Sequence, residues 1–315
     1  MNLLKELGGK KSIAISGHVR PDGDCVGACL AMYGYLKQAR PDAKIRVFLE
    51  QPSAIFSILA GFDDIDASFS CADPVDVYIA LDAGDLERLG DAKPLFEAAE
   101  STICFDHHLS NQGYAKKNLI VPDASSTCEV LFDVFEKEYI TQDVAKALYT
   151  GIMHDTGVFQ YSCMKKKTFE IVGELVGYGF DASTIIRETF YEKTYVQNQI
   201  LGRALLESIV FMDGRCIASC VDRKMMEFYG ASSKDFEGIV NQLLVTKGVE
   251  VAIFLYESGT LEYKVSMRSK GTVDVSQVAV YFGGGGHERA AGCTMMGTYR
   301  DVLNNLSKHI EKQLS

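Results

Sequence analysis

Three things are scarce in this chain: long apolar runs, paired cysteines and positive charge. No uninterrupted apolar stretch reaches the roughly 18 residues a membrane-spanning helix needs, and the N-terminal MNLLKELGGKKS is short and amphipathic. An untargeted, cytoplasmic protein with no membrane partner is the expectation. The nine cysteines form no C-x-x-C pair and no zinc-ribbon spacing, which argues for reduced, mostly buried thiols rather than a disulfide framework or structural zinc. A formal net charge of −10 speaks against a grip on long duplex nucleic acid, which relies on many lysine and arginine contacts to phosphates. An anionic substrate then requires positive charge concentrated locally, as bound metal ions would provide. The chain also lacks a P-loop and a dinucleotide fingerprint, so ATP or NAD use is not indicated.

What is present is the balance of a globular protein, 47% apolar and 23% charged, at a length of 315 residues that allows two domains. Apolar extended runs alternate with helical patterns in the first half: KSIAISG, CVGACLAMYGYLKQA, KIRVFLE, DVYIALD and TICFD. This alternation predicts an α/β architecture with a doubly wound, mostly parallel sheet. Helical segments follow, among them TQDVAKALYTGIMHDTG, for which Thr141 is a plausible N-cap. Short strands then begin near residue 209, and two of them, EVAIFLYES and LEYKVSMRS, read as a hairpin. The expected division is a catalytic domain over 1–193, a linker helix over 194–208 and a smaller α/β domain over 209–315.

Polar residues gather where the predicted strands end. KSIAIS runs into GHVRPDGDCVGA, VYIALD ends at Asp82, and TICF ends at Asp106, His107 and His108. Open parallel sheets place ligand crevices at these carboxyl ends. Because side chains alternate faces along an extended segment, two adjacent histidines are not expected to serve one face. His18, Asp22, Asp24 and Asp82, with Asp155 added, would crowd carboxylates together, and such crowding raises their pKa values unless cations intervene. Oxygen and imidazole donors favour manganese or a similar ion, and the number of donors suits two ions. Taken singly, Asp22 or Asp24 reads equally as a helix N-cap, and Asp82 as a turn former. Asp155 closes a helical pattern at the end where acids oppose the macrodipole, which suggests a ligand. His154 reads as structural or as a partner behind a ligand.

GHVRPDGDCVGA, LDAGD, DHHLS and GIMHDTG, in this order, resemble the four motifs of the DHH phosphoesterase superfamily. YFGGGGHERAAG and VSMRSKG resemble the glycine-rich signature and arginine-bearing strand of its first-type DHH-associated C-terminal domain. Length and domain order are most similar to the NrnA-like enzymes, which degrade very short oligoribonucleotides and dephosphorylate adenosine bisphosphate (pAp). The resemblance implies that His18, Asp22 and Asp82 hold one divalent ion, and Asp24, Asp82, His107 and Asp155 a second. It leaves Asp82 and His108 as the catalytic pair, with His108 facing the substrate phosphate, and Asp106 orienting a ligand from behind. Arg268 and His287 are implied to bind the nucleotide end. Gly284, Gly285 and Gly286 are expected in a compact loop that offers N–H donors to phosphate. Arg88 is a further phosphate candidate, with a surface arginine at a helix start as its alternative. Lys165–Lys167 are expected at a solvated helix start. A phosphodiesterase for cyclic di-AMP or its linear product pApA would use the same core chemistry, and side-chain spacing does not separate the two. A non-catalytic nucleotide sensor is the remaining alternative, although all six metal positions are filled. A homodimer stays open.

Overall fold

The computed structural model describes residues 1–71, 73–161 and 163–314, which form two compact units, Met1–Glu192 and Lys193–Ser315. In the first unit the strands are β1 (Ser12–Ser16), β2 (Lys44–Phe48), β3 (Ile65–Asp66), β4 (Val77–Leu81), β5 (Ser101–Asp106) and β6 (Lys117–Ile120). Its helices are α1 (Leu3–Leu7), α2 (Gly23–Ala39), α3 (Lys93–Ala98), α4 (Thr127–Val134), α5 (Gln142–Asp155), α6 (Lys166–Val176) and α7 (Ala182–Ile186). All five strand pairings are parallel, in the order β3-β2-β1-β4-β5-β6. Every residue of β4 is buried because helices cover both faces, which is why VYIAL reads as a continuous apolar run. The edge strands β3 and β6 are short and partly exposed, so they carry no such signal.

Helix α2 is buried along most of its length, and glycine lets it lie close to α5. A Cβ on Gly27 would stand 2.7 Å from the Ala147 carbonyl, and one on Gly151 would stand 2.7 Å from Oδ1 of Asp24. The approach therefore brings the start of α2 to the end of α5. Thr141 caps α5 by accepting from Val144 N–H, as its sequence position predicts.

The second unit contains α8 (Tyr195–Leu206), β7 (Ile209–Phe211), β8 (Cys216–Val221), α9 (Arg223–Tyr229), α10 (Ile239–Leu244), β9 (Val251–Gly259), β10 (Glu262–Ser269), α11 (Val275–Tyr281), β11 (Gly285–His287), β12 (Ala290–Met296) and α12 (Tyr299–Leu314). Its mixed sheet has the order β11-β12-β10-β9-β8-β7, with β8 and β9 parallel and the other pairs antiparallel. The hairpin expected between β9 and β10 is present, with an irregularity at Glu262/Tyr263. One sheet face packs on α11 and α12 through Val265, Met267, Val278, Val302 and Leu306. Part of the other packs on α8 and α10 through Ala204, Ile217, Ile239, Leu243 and Phe254. Helix α8 lies within the 194–208 segment expected to link the domains, and its Ile200 and Ala204 are fully buried in this second core. Among the described residues no helix is long and apolar enough to cross a membrane.

Candidate active site

Strands β1 and β4 are neighbours, yet the chain leaves β1 toward β2 on one side and β4 toward β5 on the other. This reversal opens a crevice at their carboxyl ends. The loop after β1 fills it first. His18 is buried, and its Nδ1–H donates to the Val19 carbonyl at 2.8 Å. That bond turns Nε2 toward Asp22 Oδ2 and Asp82 Oδ2, each 3.6 Å away. Asp22 divides its oxygens: Oδ1 caps α2 by accepting from the N–H groups of Asp24 and Cys25, both at 3.1 Å, while Oδ2 faces His18. The cap and ligand readings of Asp22 are therefore compatible.

Asp82 sits at the centre, only 2% exposed, with a φ of 55°. A non-glycine residue in this left-handed region is strained, and such strain concentrates at functional sites. Its Oδ1 accepts from the Thr127 hydroxyl at 2.9 Å and lies 3.6 Å from His107 Nε2 and 3.7 Å from His108 Nδ1. Both adjacent histidines thus approach one carboxylate, against the expectation that they part. The reason is that β5 ends at Asp106, so strand alternation no longer governs 107 and 108. His107 Nε2 also lies 3.3 Å from Oδ2 of Asp155, the last residue of α5.

Asp24 is almost wholly buried and accepts at both oxygens from the start of α4: Thr127 N–H at 2.6 Å and Cys128 N–H at 3.0 Å. Burial, then the neighbouring Asp82 and Asp155, hold its carboxyl well above the usual range. Burial also pushes Asp155 up to about 6. Although burial opposes its charge, His18 is raised to about 11 by Asp22 and Asp82. Asp22, despite desolvation, falls to about 2 through His18. Three groups, His18/Cys25/Asp82, Asp82/His107/His108 and Asp24/His107/Asp155, offer donor atoms within 4.8 Å of one another and could each hold a cation.

Asp106 is fully buried and acts as the hub of the loop after β5. Its Oδ1 accepts from His107 N–H at 2.8 Å and pairs with His108 Nδ1 at 2.7 Å; Oδ2 accepts from Asn111 Nδ2 at 2.6 Å. It thus orients His108, the histidine expected to face substrate, where a ligand's imidazole was the expected partner. His154 projects from α5 between Phe56 and Phe190, with Nε2 2.9 Å from the Thr189 hydroxyl. Its ring fills the place where a Cβ on Gly23 would be, at 2.2 Å, so it props the start of α2 from behind. Burial lowers its pKa to about 4.

In the second unit, antiparallel register sets Arg268 of β10 opposite Ala290 of β12, and Ala290 opposite His287 of β11. Arg268 and His287 therefore share a sheet face, with only a methyl group between them. The glycine run is not a loop throughout, because Gly285 and Gly286 belong to edge strand β11. A Cβ on Gly286 would stand 2.5 Å from the Ala290 carbonyl, and one on Gly284 would stand 2.1 Å from that of Gly292. The Gly284 N–H donates to Ala279 O at 2.8 Å and closes α11, so the phosphate-donor expectation is corrected there. Glycine at 284 and 286 serves close backbone packing. Arg88 follows Asp82 by a short turn, and its carbonyl accepts from Val19 N–H at 2.8 Å, joining the loops after β1 and β4. Lys165, Lys166 and Lys167 at the start of α6 pair with Asp123, Glu170 and Asp133.

The description "DHH family, N-terminal domain" matches residues 12–152, and "DHHA1 domain" matches residues 214–315. The chain carries a DHH domain followed by a DHHA1 domain. It is similar to the bifunctional oligoribonuclease and PAP phosphatase NrnA of Thermus thermophilus, at 28% identity over 95% of this chain and 90% of the relative. The NrnA of Bacillus subtilis is 24% identical over 93% and 92% of the two chains. Among solved structures, an exopolyphosphatase-related protein from Bacteroides fragilis superposes with a TM-score of 0.90 at 27% identity, covering 98% of this chain and 94% of that one. This DHH protein is accordingly a hydrolase of phosphoester bonds.

The DHH domain also uses a residue that sequence reasoning missed. Thr127 places its hydroxyl on Asp82 and its N–H on Asp24. The one available signal was the serine cap before α4, Ser126, which accepts from Glu129 N–H. Nothing in that segment pointed toward the strand ends.

Proposed function

We propose that this protein is a two-metal phosphoesterase that cuts very short oligoribonucleotides to mononucleotides and removes the 3′-phosphate of pAp, with manganese as the working ion. The observation that carries the reading is Asp82, one buried carboxylate faced by His18, His107 and His108 at the sheet's switch point. The NrnA relatives, named for both activities, support the substrate class.

The donor set suits divalent cations. Four carboxylates and several imidazoles crowd one crevice, and burial together with the nearby Asp82 and Asp155 raises the Asp24 carboxyl, a cost that cations would relieve. His18, Asp22 and Asp82 would hold one ion, and Asp24, Asp82, His107 and Asp155 the other. Such ions, when bound, make hydroxide available near neutral pH and neutralise phosphate oxygens. The Val19 carbonyl keeps a proton on His18 Nδ1 and so presents Nε2 to the site. Asp106 engages His108 Nδ1 in the same way, which leaves Nε2 to meet the phosphate or to protonate the leaving oxygen. The Thr127 hydroxyl orients Asp82. Water adds to phosphorus, the bond to the nucleoside oxygen breaks, and that oxygen takes up a proton. Arg88, Arg268 and His287 would contact the nucleotide. A cytoplasmic location belongs to this reading.

The test offers purified protein with Mn²⁺ a dinucleotide RNA, pAp, cyclic di-AMP, pApA and pyrophosphate. Turnover of the first two is expected. Preference for cyclic di-AMP or pApA would favour that alternative, and binding without turnover of any of them would favour the sensor. Replacement His108→Ala is expected to keep the metal content and lower kcat about 10²-fold or more, the scale of general acid catalysis.

A further inference from the structure

The face of the second sheet that carries Arg268 and His287 is only partly covered, and a cavity of about 300 Å³ opens on the same face at Phe254, Tyr256 and Ser266. Its walls are Phe254 and Tyr256 from β9, Ser266 from β10, Phe236 from the short 3₁₀ turn Ser233–Phe236, and Val240 from α10. Phe236 lies edge-on to Phe254 at 5.6 Å between centroids and packs against the Tyr256 ring at 5.0 Å. The rings form an aromatic wall, rimmed by Ser233, Lys234 and Glu237.

Register ties this cavity to the phosphate-type residues. Ser266 pairs with Phe254 on one side and Gly292 on the other, and Gly292 pairs with Gly285. The next row on the same face reads Ala252, Arg268, Ala290, His287. Ser266 and Arg268 thus stand two residues apart on one face, about 6.6 Å along the strand. That spacing is comparable to the separation of a nucleotide's phosphate from its base, and Tyr256, opposite Lys264, flanks Ser266 on the side away from Arg268. Beyond Ser266, Gly292 and Gly285 leave the surface flat, with no side chain to block a planar group.

We propose that this cavity is a nucleobase subsite, in which a base lies against Tyr256 with its polar edge toward Ser266 and Glu237 while the attached phosphate meets Arg268. The proposal rests on the nucleotide substrate class set out above and adds the residues that read the base. Aromatic faces stack on any base, whereas hydroxyl and carboxylate groups at the edge discriminate among bases.

The test uses a dinucleotide carrying 2-aminopurine and its abasic counterpart, because the chain contains no tryptophan to compete with the probe's fluorescence. With metal-free protein the probe's emission should fall on binding. Replacement Tyr256→Leu should weaken binding of the base-containing ligand about ten-fold, the loss of one base–aromatic stack, and leave the abasic ligand unchanged. Tyr256→Phe should restore the parent affinity. In steady state with Mn²⁺, Tyr256→Leu should raise KM for the base-containing dinucleotide and leave kcat in place. Equal weakening of both ligands, or no change in either, overturns the subsite while parent hydrolysis of dinucleotides stands. Absence of dinucleotide hydrolysis by the parent protein overturns the subsite together with the functional reading.

Discussion

The two units use the same kinds of residues in opposite ways. In the first, acids and histidines from four separate stretches are buried around one strained aspartate, and all three candidate cation groups among the described residues lie there. In the second, register sets Arg268 and His287 on one sheet face next to glycine and alanine, and Arg268 donates to the Met267 carbonyl at 3.0 Å. The first arrangement holds electrostatic repulsion that a cation can relieve, beside backbone strain at Asp82. The second has little to relieve, and its glycines keep the surface flat and the backbones close. A charge-binding site built by convergence should therefore be costly to the fold when its metal is absent. A site built by display should be nearly neutral.

The strongest way to break this contrast is Asp82→Asn, which keeps a side chain tolerant of positive φ and removes the charge. Hydrolysis should fall more than about 10²-fold, the scale of losing a preorganised electrostatic group. Metal-free protein should melt close to the parent, because the lost repulsion with Asp24 offsets the lost attraction to His18. A lower Tm in EDTA would contradict the picture of stored repulsion. In the second unit Arg268→Ala should raise KM about ten-fold or more, consistent with about 1.5–3 kcal/mol for a hydrogen bond to a charged group. Metal content and kcat should stay. A change in bound manganese there would mean that the two units do not divide the work.

Metal addition sharpens the same comparison. Mn²⁺ at about 100 times its dissociation constant should stabilise the protein by about 2.7 kcal/mol for each ion bound. Hydrogen exchange should slow at the loops after β1, β4 and β5 and at the end of α5, with β10–β12 unaffected. Gly286→Ala should destabilise the second unit by about 1–3 kcal/mol through overlap with Ala290, as denaturant unfolding would measure. The smallest effect is expected from Thr127→Val, which removes one hydroxyl donor to Asp82. A several-fold loss of kcat with unchanged metal content would fit about 0.5–1.5 kcal/mol.

Legibility followed the same division. His18, Asp82 and Asp106 stood out because β1, β4 and β5 are buried on both faces, so a charged or imidazole side chain at or just after each apolar run marks a strand end. Asp155 stood out as an acid at the wrong end of an amphipathic helix. The close approach of His107 and His108 to one carboxylate could not be read, since the chain beyond β5 follows no period. Nor could the partner of Asp106, because a two-residue contact inside a loop depends on dihedral angles that composition does not encode. The edge strand hidden in the glycine run escaped as well. Glycine carries no strand preference, and only the Ala290–Met296 neighbour creates that strand.

Local patterning alone determined the parallel α/β layout, the helix caps and the placing of acids and imidazoles at strand ends. These follow from periodicity and from the need to satisfy backbone groups, which act over a few residues. Tertiary structure decided which of those groups meet. Gly27 and Gly151 let α2 lie against α5, which sets Asp24 beside Asp155, and the start of α4 delivers Thr127 to Asp82 across a long stretch of chain. Such meetings depend on how close two backbones can come, a property of pairs of elements that neither element's sequence carries by itself.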